Sequence, residues 1–197
     1  MQSIGVPPNA ATFTTLITVC AKCGELDRAL LVLEQMSQAN AAPDAITFTA
    51  LISACARTQQ SERAFELLNQ MKSYGLRPNA ITYNALIDVC CKVGDLQRAE
   101  ATVQVMRSEG HQPDAITFNM LLNACCKLQL HDRLFNYLES MRSLGLLPSA
   151  AAISMLATNF TGDRTALEQA LRSMQEQAAM LPEQQQQQGG QPPQPPR

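Results

Sequence analysis

No charge of one sign dominates this chain: 15 Lys and Arg stand against 17 Asp and Glu, a formal net charge of −2 over 197 residues. General nucleic-acid binders are usually basic overall, so contact with a polyanion must rely on a local stripe of cations rather than a global field. Histidine is scarce. His111 and His131 have no Asp, Ser or Cys partner at a recurring position, and both are expected at the surface. No catalytic constellation emerges, so the chain is not read as an enzyme and no small-molecule substrate is implied. No apolar run is long enough to cross a bilayer, and no basic amphipathic presequence opens the chain. A second Cys-x-x-Cys pair is lacking too. Cys20 and Cys23 form the only one, and a structural zinc needs four converging ligands, so no metal or other cofactor is expected.

What the chain does have is a period. Pro8, Pro43, Pro78, Pro113 and Pro148 return every 35 residues. Each precedes Asn9, Asp44, Asn79, Asp114 or Ser149, and four of these lead into Ala-Ala-Thr-Phe-Thr or its close variants Ala-Ile-Thr-Phe-Thr, Ala-Ile-Thr-Tyr-Asn and Ala-Ile-Thr-Phe-Asn. A period of this length means stacked supersecondary units rather than one closed core. With Ala10, Ala45, Ala80, Ala115 and Ala150 as column 1, four complete units run 10–44, 45–79, 80–114 and 115–149 without insertion. Column 4 is aromatic (Phe13, Phe48, Tyr83, Phe118), and columns 7 and 8 hold pairs such as Leu51 and Ile52, which puts apolar residues on one helix face. A second stripe contains column 20 (Ala29, Ala64, Ala99, Leu134) and column 27 (Met36, Met71, Met106, Met141). Gly75, Gly110 and Gly145 at column 31, with a proline three residues on, stop the second helix. Each unit thus reads as two helices of about 12 residues, too short to bury both stripes alone. The expected fold is all-α, an α-solenoid of stacked helix-turn-helix units. The cysteines fall into the same register: Cys20, Cys55, Cys90 and Cys125 share column 11, with Cys91 and Cys126 beside them, as small buried packing residues do.

The motif resembles that of the pentatricopeptide repeat family (a P-type array), which begins approximately Val-Thr-Tyr-Asn-Thr-Leu-Ile and ends Gly-x-x-Pro-Asp. Ile81-Thr82-Tyr83-Asn84-Ala85-Leu86-Ile87 and Gly75-Leu76-Arg77-Pro78-Asn79 match it almost residue for residue. The tetratricopeptide repeat, of about 34 residues, is excluded because its Trp-x-x-Leu-Gly-x-x-Tyr signature needs a tryptophan and the chain has none. The resemblance implies single-stranded RNA as the partner, with one base per unit. It implies that columns 5 and 35 read the base: Thr14 with Asp44, Thr49 with Asn79, Asn84 with Asp114, and Asn119 with Ser149. Column 2 (Ala11, Ile46, Ile81, Ile116) would pack against the base, and column 13 (Lys22, Arg57, Lys92, Lys127) would face phosphates. An ionised Asp only accepts, which suits the N–H edges of guanine and uracil, whereas Asn suits adenine and cytosine. By resemblance Thr at column 5 goes with purines and Asn with pyrimidines, so the units spell 5′-GAUC-3′. Residues of these types also cap helices, and column 35 is expected to do both. Column 19 (Arg28, Arg63, Arg98, Arg133) opens the second helix, where the dipole disfavours a cation, and is read as a solvated face compensated by Asp27, Glu62, Gln97 and Asp132 beside it.

The two ends depart from the pattern. Met1, Gly5, Pro8 and Asn9 fill columns 27, 31, 34 and 35 of a preceding unit, so residues 1–9 read as the end of a truncated one, in a fragment or a shortened array. Residues 150–182 read as a degenerate capping unit with Ser154 at column 5 and Gly162 in place of the column 13 cation, and 183–197 as a disordered Gln/Pro-rich tail. Function is expected to be sequence-selective RNA binding in RNA processing, stability, editing or translation, with other RNA-processing proteins as further partners. Family resemblance points to a mitochondrion or chloroplast. The alternative is a protein–protein interaction scaffold using the same concave face, and an RNA-modifying enzyme would require a catalytic domain outside these residues.

Overall fold

The computed structural model describes residues 8–180, with side chains to residue 176. The expectations for residues 1–7 and for the tail from 183 onward therefore lie outside the described residues. Among the described residues there are ten helices and no strand: α1 (Ala10–Cys23), α2 (Leu26–Gln38), α3 (Ala45–Thr58), α4 (Ser61–Ser73), α5 (Ala80–Val93), α6 (Leu96–Ser108), α7 (Ala115–Lys127), α8 (His131–Ser143), α9 (Ala150–Asn159) and α10 (Arg164–Met180).

Local chemistry sets these limits. Asn9, Asp44, Asn79, Asp114 and Ser149 hold extended backbone, and the side chain of each accepts from the backbone N–H three residues on, satisfying a donor that the helix cannot. A cap of this kind stabilises a helix by about 1 kcal/mol. The second helices end alike. Gly75, Gly110 and Gly145 take positive φ, as does Asn40 at the same column, and the next residue's N–H returns to the carbonyl of Met36, Met71, Met106 or Met141. That closes a Schellman turn from which the proline leads the chain away.

The odd-numbered helices form one layer in which α1, α3, α5, α7 and α9 each pack on the next. Helices α2, α4 and α6 pack on their own partners and on the following odd helix, but do not approach one another closely. A closely spaced layer backed by a widely spaced one curves toward the close side, so the odd helices line the concave face. Phe13, Phe48, Tyr83 and Phe118 are buried between the layers with the four column 27 methionines. Cys55, Cys90 and Cys125 are buried there as well, and desolvation pushes their thiols up to about 11, which keeps them neutral and unreactive near pH 7. The histidines differ from expectation. His131 is half-buried with its ring edge-on to Phe160 at 4.8 Å between centroids, and His111 lies 6.0 Å from the Tyr83 ring. Gly162 sits against that same Phe160: a Cβ there would meet its Cζ at 2.6 Å, so packing explains why the cation of column 13 is replaced in this unit.

Burial at column 7 depends on having a unit stacked in front. Leu51 and Leu86 are 0% exposed, whereas Leu16 in α1 is 47% exposed. Leu86→Ala should therefore lower unfolding free energy by about 2–5 kcal/mol, and Leu16→Ala by less than about 1 kcal/mol. Urea denaturation of the two variants measures the difference.

Candidate nucleic-acid interface

The first turn of each odd helix brings column 5 of one unit against columns 35 and 3 at its junction with the next. At the first junction Asp44 Oδ1 accepts from the Thr47 backbone N–H at 2.8 Å and from the Thr47 hydroxyl at 2.7 Å, and the Thr14 hydroxyl lies 2.8 Å from that of Thr47. The second repeats this arrangement with Thr49, Thr82 and Asn79. At the third, Thr117 Oγ1 donates toward Asn84 Oδ1 (2.6 Å) and Asp114 Oδ1 (2.9 Å), and the Asn84 amide donates to Asp114 Oδ1 at 3.4 Å. At the fourth, the Ser149 backbone N–H donates to Asn119 Oδ1 at 3.2 Å. The pairs singled out in the sequence are thus neighbours in space. The column 3 threonines that join the first three pairs were not singled out. They are fully buried polar residues in a recurring column, and that recurrence is the signal that would have found them.

Capping also decides what column 35 shows to solvent. The cap occupies Oδ1, so an Asp is left with a carboxylate oxygen and an Asn with its amide. Asn79, which can both donate and accept as an isolated side chain, becomes a donor in place. Burial works against the charge on Asp114. Hydrogen bonds from the Thr117 backbone and hydroxyl, from Asn84 and from the Ile116 backbone outweigh that cost and hold its carboxyl below the ordinary value of 3.8.

Beside these polar junctions stands a row of exposed apolar side chains. Ile46, Ile81 and Ile116 are 64%, 67% and 61% exposed, while Ala11 occupies the same column in α1 with no side chain beyond Cβ. Ile46 and Ile81 flank an open hollow of about 390 Å³ that is also lined by Thr49, Asn79, Lys22 and Arg57. One hollow therefore collects all four candidate columns. A smaller one, about 60 Å³, has Lys92 and Lys127 beside Asp88 and Asn123.

The cationic columns separate. Lys22, Arg57, Lys92 and Lys127 are all exposed. Arg57 has a structural task as well, since its guanidinium donates to the Lys22 carbonyl oxygen at 2.7 Å and satisfies an end of α1. Lys92 is held by Asp88 at 2.7 Å, an acid in the groove that the column reading overlooked. Column 19 makes the ion pairs expected of it, but the compensation is not local. Arg63 reaches Asp27 at 3.0 Å, Arg98 reaches Glu62 at 2.5 Å while lying over the Phe65 ring, and Arg133 reaches Glu100 at 3.1 Å. Each partner belongs to the preceding unit, because a long side chain bridges the wide spacing of the even helices. Only Arg28, with no unit described before it, turns back to Glu25 in its own. Among the described residues no three His, Cys, Asp or Glu side chains converge on a point, and no helix is long and apolar enough to cross a membrane.

Models of the PPR repeat family match residues 8–57, 43–92 and 78–127, and the PPR repeat model matches 116–146. The chain belongs to the pentatricopeptide repeat family. No curated protein sequence matches it. Among solved structures, the PPR fold of this chain is similar to the pentatricopeptide repeat protein PPR10 from maize, at 24% identity and TM-score 0.71, over 89% of this chain and 26% of that one. PPR10 in complex with an 18-nt psaJ RNA element gives TM-score 0.74 at 24% identity, over 90% and 27% of the two chains. The PPR domain of Arabidopsis thaliana protein-only RNase P 1, in complex with tRNA, gives TM-score 0.65 at 23% identity, over 79% and 82%. This PPR chain thus spans about a quarter of the PPR10 chain it matches.

The capped carboxylate makes a pH prediction for this PPR chain. A carboxyl depressed on folding stabilises the fold fully above its unfolded pKa, and that stability is lost as pH falls through the lower, folded value. The Asp114 carboxyl, followed by carbon-13 NMR, should titrate with a midpoint below 3.8; a midpoint at or above that value would mean the cap does not favour the ionised form.

Proposed function

We propose that this chain binds single-stranded RNA, one base per repeat, and selects a core resembling 5′-GAUC-3′. The observation that carries this reading is the hollow between Ile46 and Ile81. Two exposed β-branched side chains stand on either side of a paired acceptor and donor, Thr49 and Asn79, with Lys22 and Arg57 at the margin. A planar base fits between two apolar flanks, its pairing edge turned to the polar pair and its phosphates to the cations. Related solved structures support it, since PPR10 is described with an RNA element and the RNase P 1 PPR domain with tRNA. Thr14 with Asp44 would take G, Thr49 with Asn79 A, Asn84 with Asp114 U, and Asn119 with Ser149 C. Ile116 would flank the third and fourth bases as Ile46 and Ile81 flank the second, and Ala11 would leave the first less tightly held. The chain then acts by occupying the strand or recruiting RNA-processing proteins, in an organelle by family habit, with no catalysis of its own.

Stacking contributes on the order of 1–3 kcal/mol per base, and ordering the strand opposes it, so four repeats should reach about micromolar affinity. Fluorescence anisotropy with GAUC-centred and scrambled single strands should show selectivity for the former. Asn79→Asp should move the second preference from A toward G and leave the others in place. Equal binding of all strands would sink the base-reading proposal, and binding of none would favour a protein scaffold.

The basic margin has its own test. Changing Lys22, Arg57, Lys92 and Lys127 to Gln should weaken every single strand alike and flatten the salt dependence, because phosphate contacts position without specifying. Lys92 should contribute least, being held by Asp88, and Arg57→Gln should also lower the melting temperature through the lost cap on α1.

A further inference from the structure

Each of the first three junctions contains a buried threonine whose single hydroxyl proton is taken up inside the protein. At the second junction, Asn79 Oδ1 accepts from the Thr82 backbone N–H at 3.0 Å, which identifies it as the amide oxygen. The Thr82 hydroxyl donates to that oxygen at 3.1 Å and accepts from the Asn79 backbone N–H at 3.4 Å. With its proton on that oxygen, Thr82 receives the proton of Thr49 across their 2.9 Å contact. The Thr49 hydroxyl is left with lone pairs alone. The first junction follows the same course, because ionised Asp44 can only accept from Thr47, and Thr47 must in turn accept from Thr14. At the third, Thr117 shares its proton between two oxygens, and Asn84 keeps its oxygen turned inward with an amide hydrogen left over.

From this geometry we infer that Thr47, Thr82 and Thr117 are positioning residues that set the hydrogen-bond polarity of the column 5 and column 35 side chains, and with it which base edges each repeat can match. The inference deepens the RNA-reading proposal and rests on it. Thr14 and Asp44 show two acceptors, matching the adjacent N1–H and N2–H donors of guanine. Thr49 and Asn79 show an acceptor and a donor, matching the N6–H and N1 of adenine. Asn84 and Asp114 show a donor and an acceptor, matching a carbonyl and the N3–H of uracil. The fourth junction has no threonine, yet the same accounting applies. Asn119 Oδ1 is taken by the Ser149 backbone N–H and Ser149 Oγ by the Ala152 N–H, which leaves an amide hydrogen and a hydroxyl proton. Two donors match the O2 and N3 acceptors of cytosine. A serine hydroxyl can donate or accept, and the cap leaves this one to donate.

The test uses the full chain and four single-stranded RNAs of equal length that differ only at the first base of the core, because two adjacent acceptors match guanine alone. Thr47→Val removes the hydroxyl and keeps the shape, so Thr14 recovers a proton it can donate, and a donor beside the Asp44 acceptor matches adenine, cytosine and uracil as well as guanine. Preference for G over the other three bases should fall roughly tenfold, which is the scale of one mismatched buried polar contact, while affinity for the G strand is kept. Thr47→Ser should restore the preference. If Thr47→Val does not fold, as thermal unfolding would show, Asn79→Asp with and without Thr82→Val asks the same question one repeat on: G should be preferred at the second base with Thr82 present and not without it. Preserved G preference in a folded Thr47→Val, or an equal loss against all four bases, overturns the relay while the base-reading proposal stands. A wild-type chain without preference at any base overturns the reading itself and the relay with it.

Discussion

A pair of helices of 14 and 13 residues cannot bury two apolar stripes by itself, and everything else in this structure follows from that constraint. The stripe of α3 is covered by α1 on one side and α5 on the other. Leu51 is dry for that reason, and Leu16, the same residue in the same column, is half in water. Stability therefore belongs to the interfaces between repeats as much as to the repeats. The longer-range contacts point the same way, since Arg63, Arg98 and Arg133 find their acids, and Arg57 its carbonyl, in the preceding unit. These exposed pairs add little energy individually, but they tie successive second helices together where the backbones stand too far apart to touch.

Stacking also creates the candidate site. The residue that caps an odd helix ends one repeat, the threonine it holds begins the next, and the column 5 side chain comes from the repeat before. No single repeat contains the hydrogen-bonded set. A substitution at column 35 or column 3 is consequently both a helix-cap change and a change in what the groove presents. Such coupling is strongest where the threonine is fully buried, as Thr47, Thr82 and Thr117 are, because a polar group there must find its partners inside the protein.

The electrostatic design fits a chain with no net basic charge. Arginines of column 19 are neutralised on the back of the solenoid, whereas Lys22 and Arg57 stand at the concave groove among apolar and uncharged side chains. Charge is therefore distributed by face rather than by amount, and a formal charge of −2 conceals it. Asp88 at the margin of the third repeat departs from this division and places Lys92 in an ion pair.

Period, helix pairing, the buried aromatic and methionine columns and the helix stops were all legible in the sequence, because each depends on local propensity or on spacing along one helix. The alternation of Thr and Asn with Asp, Asn and Ser at columns 5 and 35 was legible for a related reason: residues that repeat without being apolar stand out against a packing pattern. Other features were not legible. Nothing local places the acid for Arg98 on Glu62, 36 residues earlier, or half-buries His131 against Phe160. The direction of the protons through Thr47, Thr82 and Thr117 was equally hidden. Sequence by itself determined which donors and acceptors the chain owns and at what interval they recur. Only the tertiary structure decided which of them are used up inside the protein, because a hydroxyl or amide takes its polarity from the neighbour it meets, and here that neighbour belongs to the next repeat.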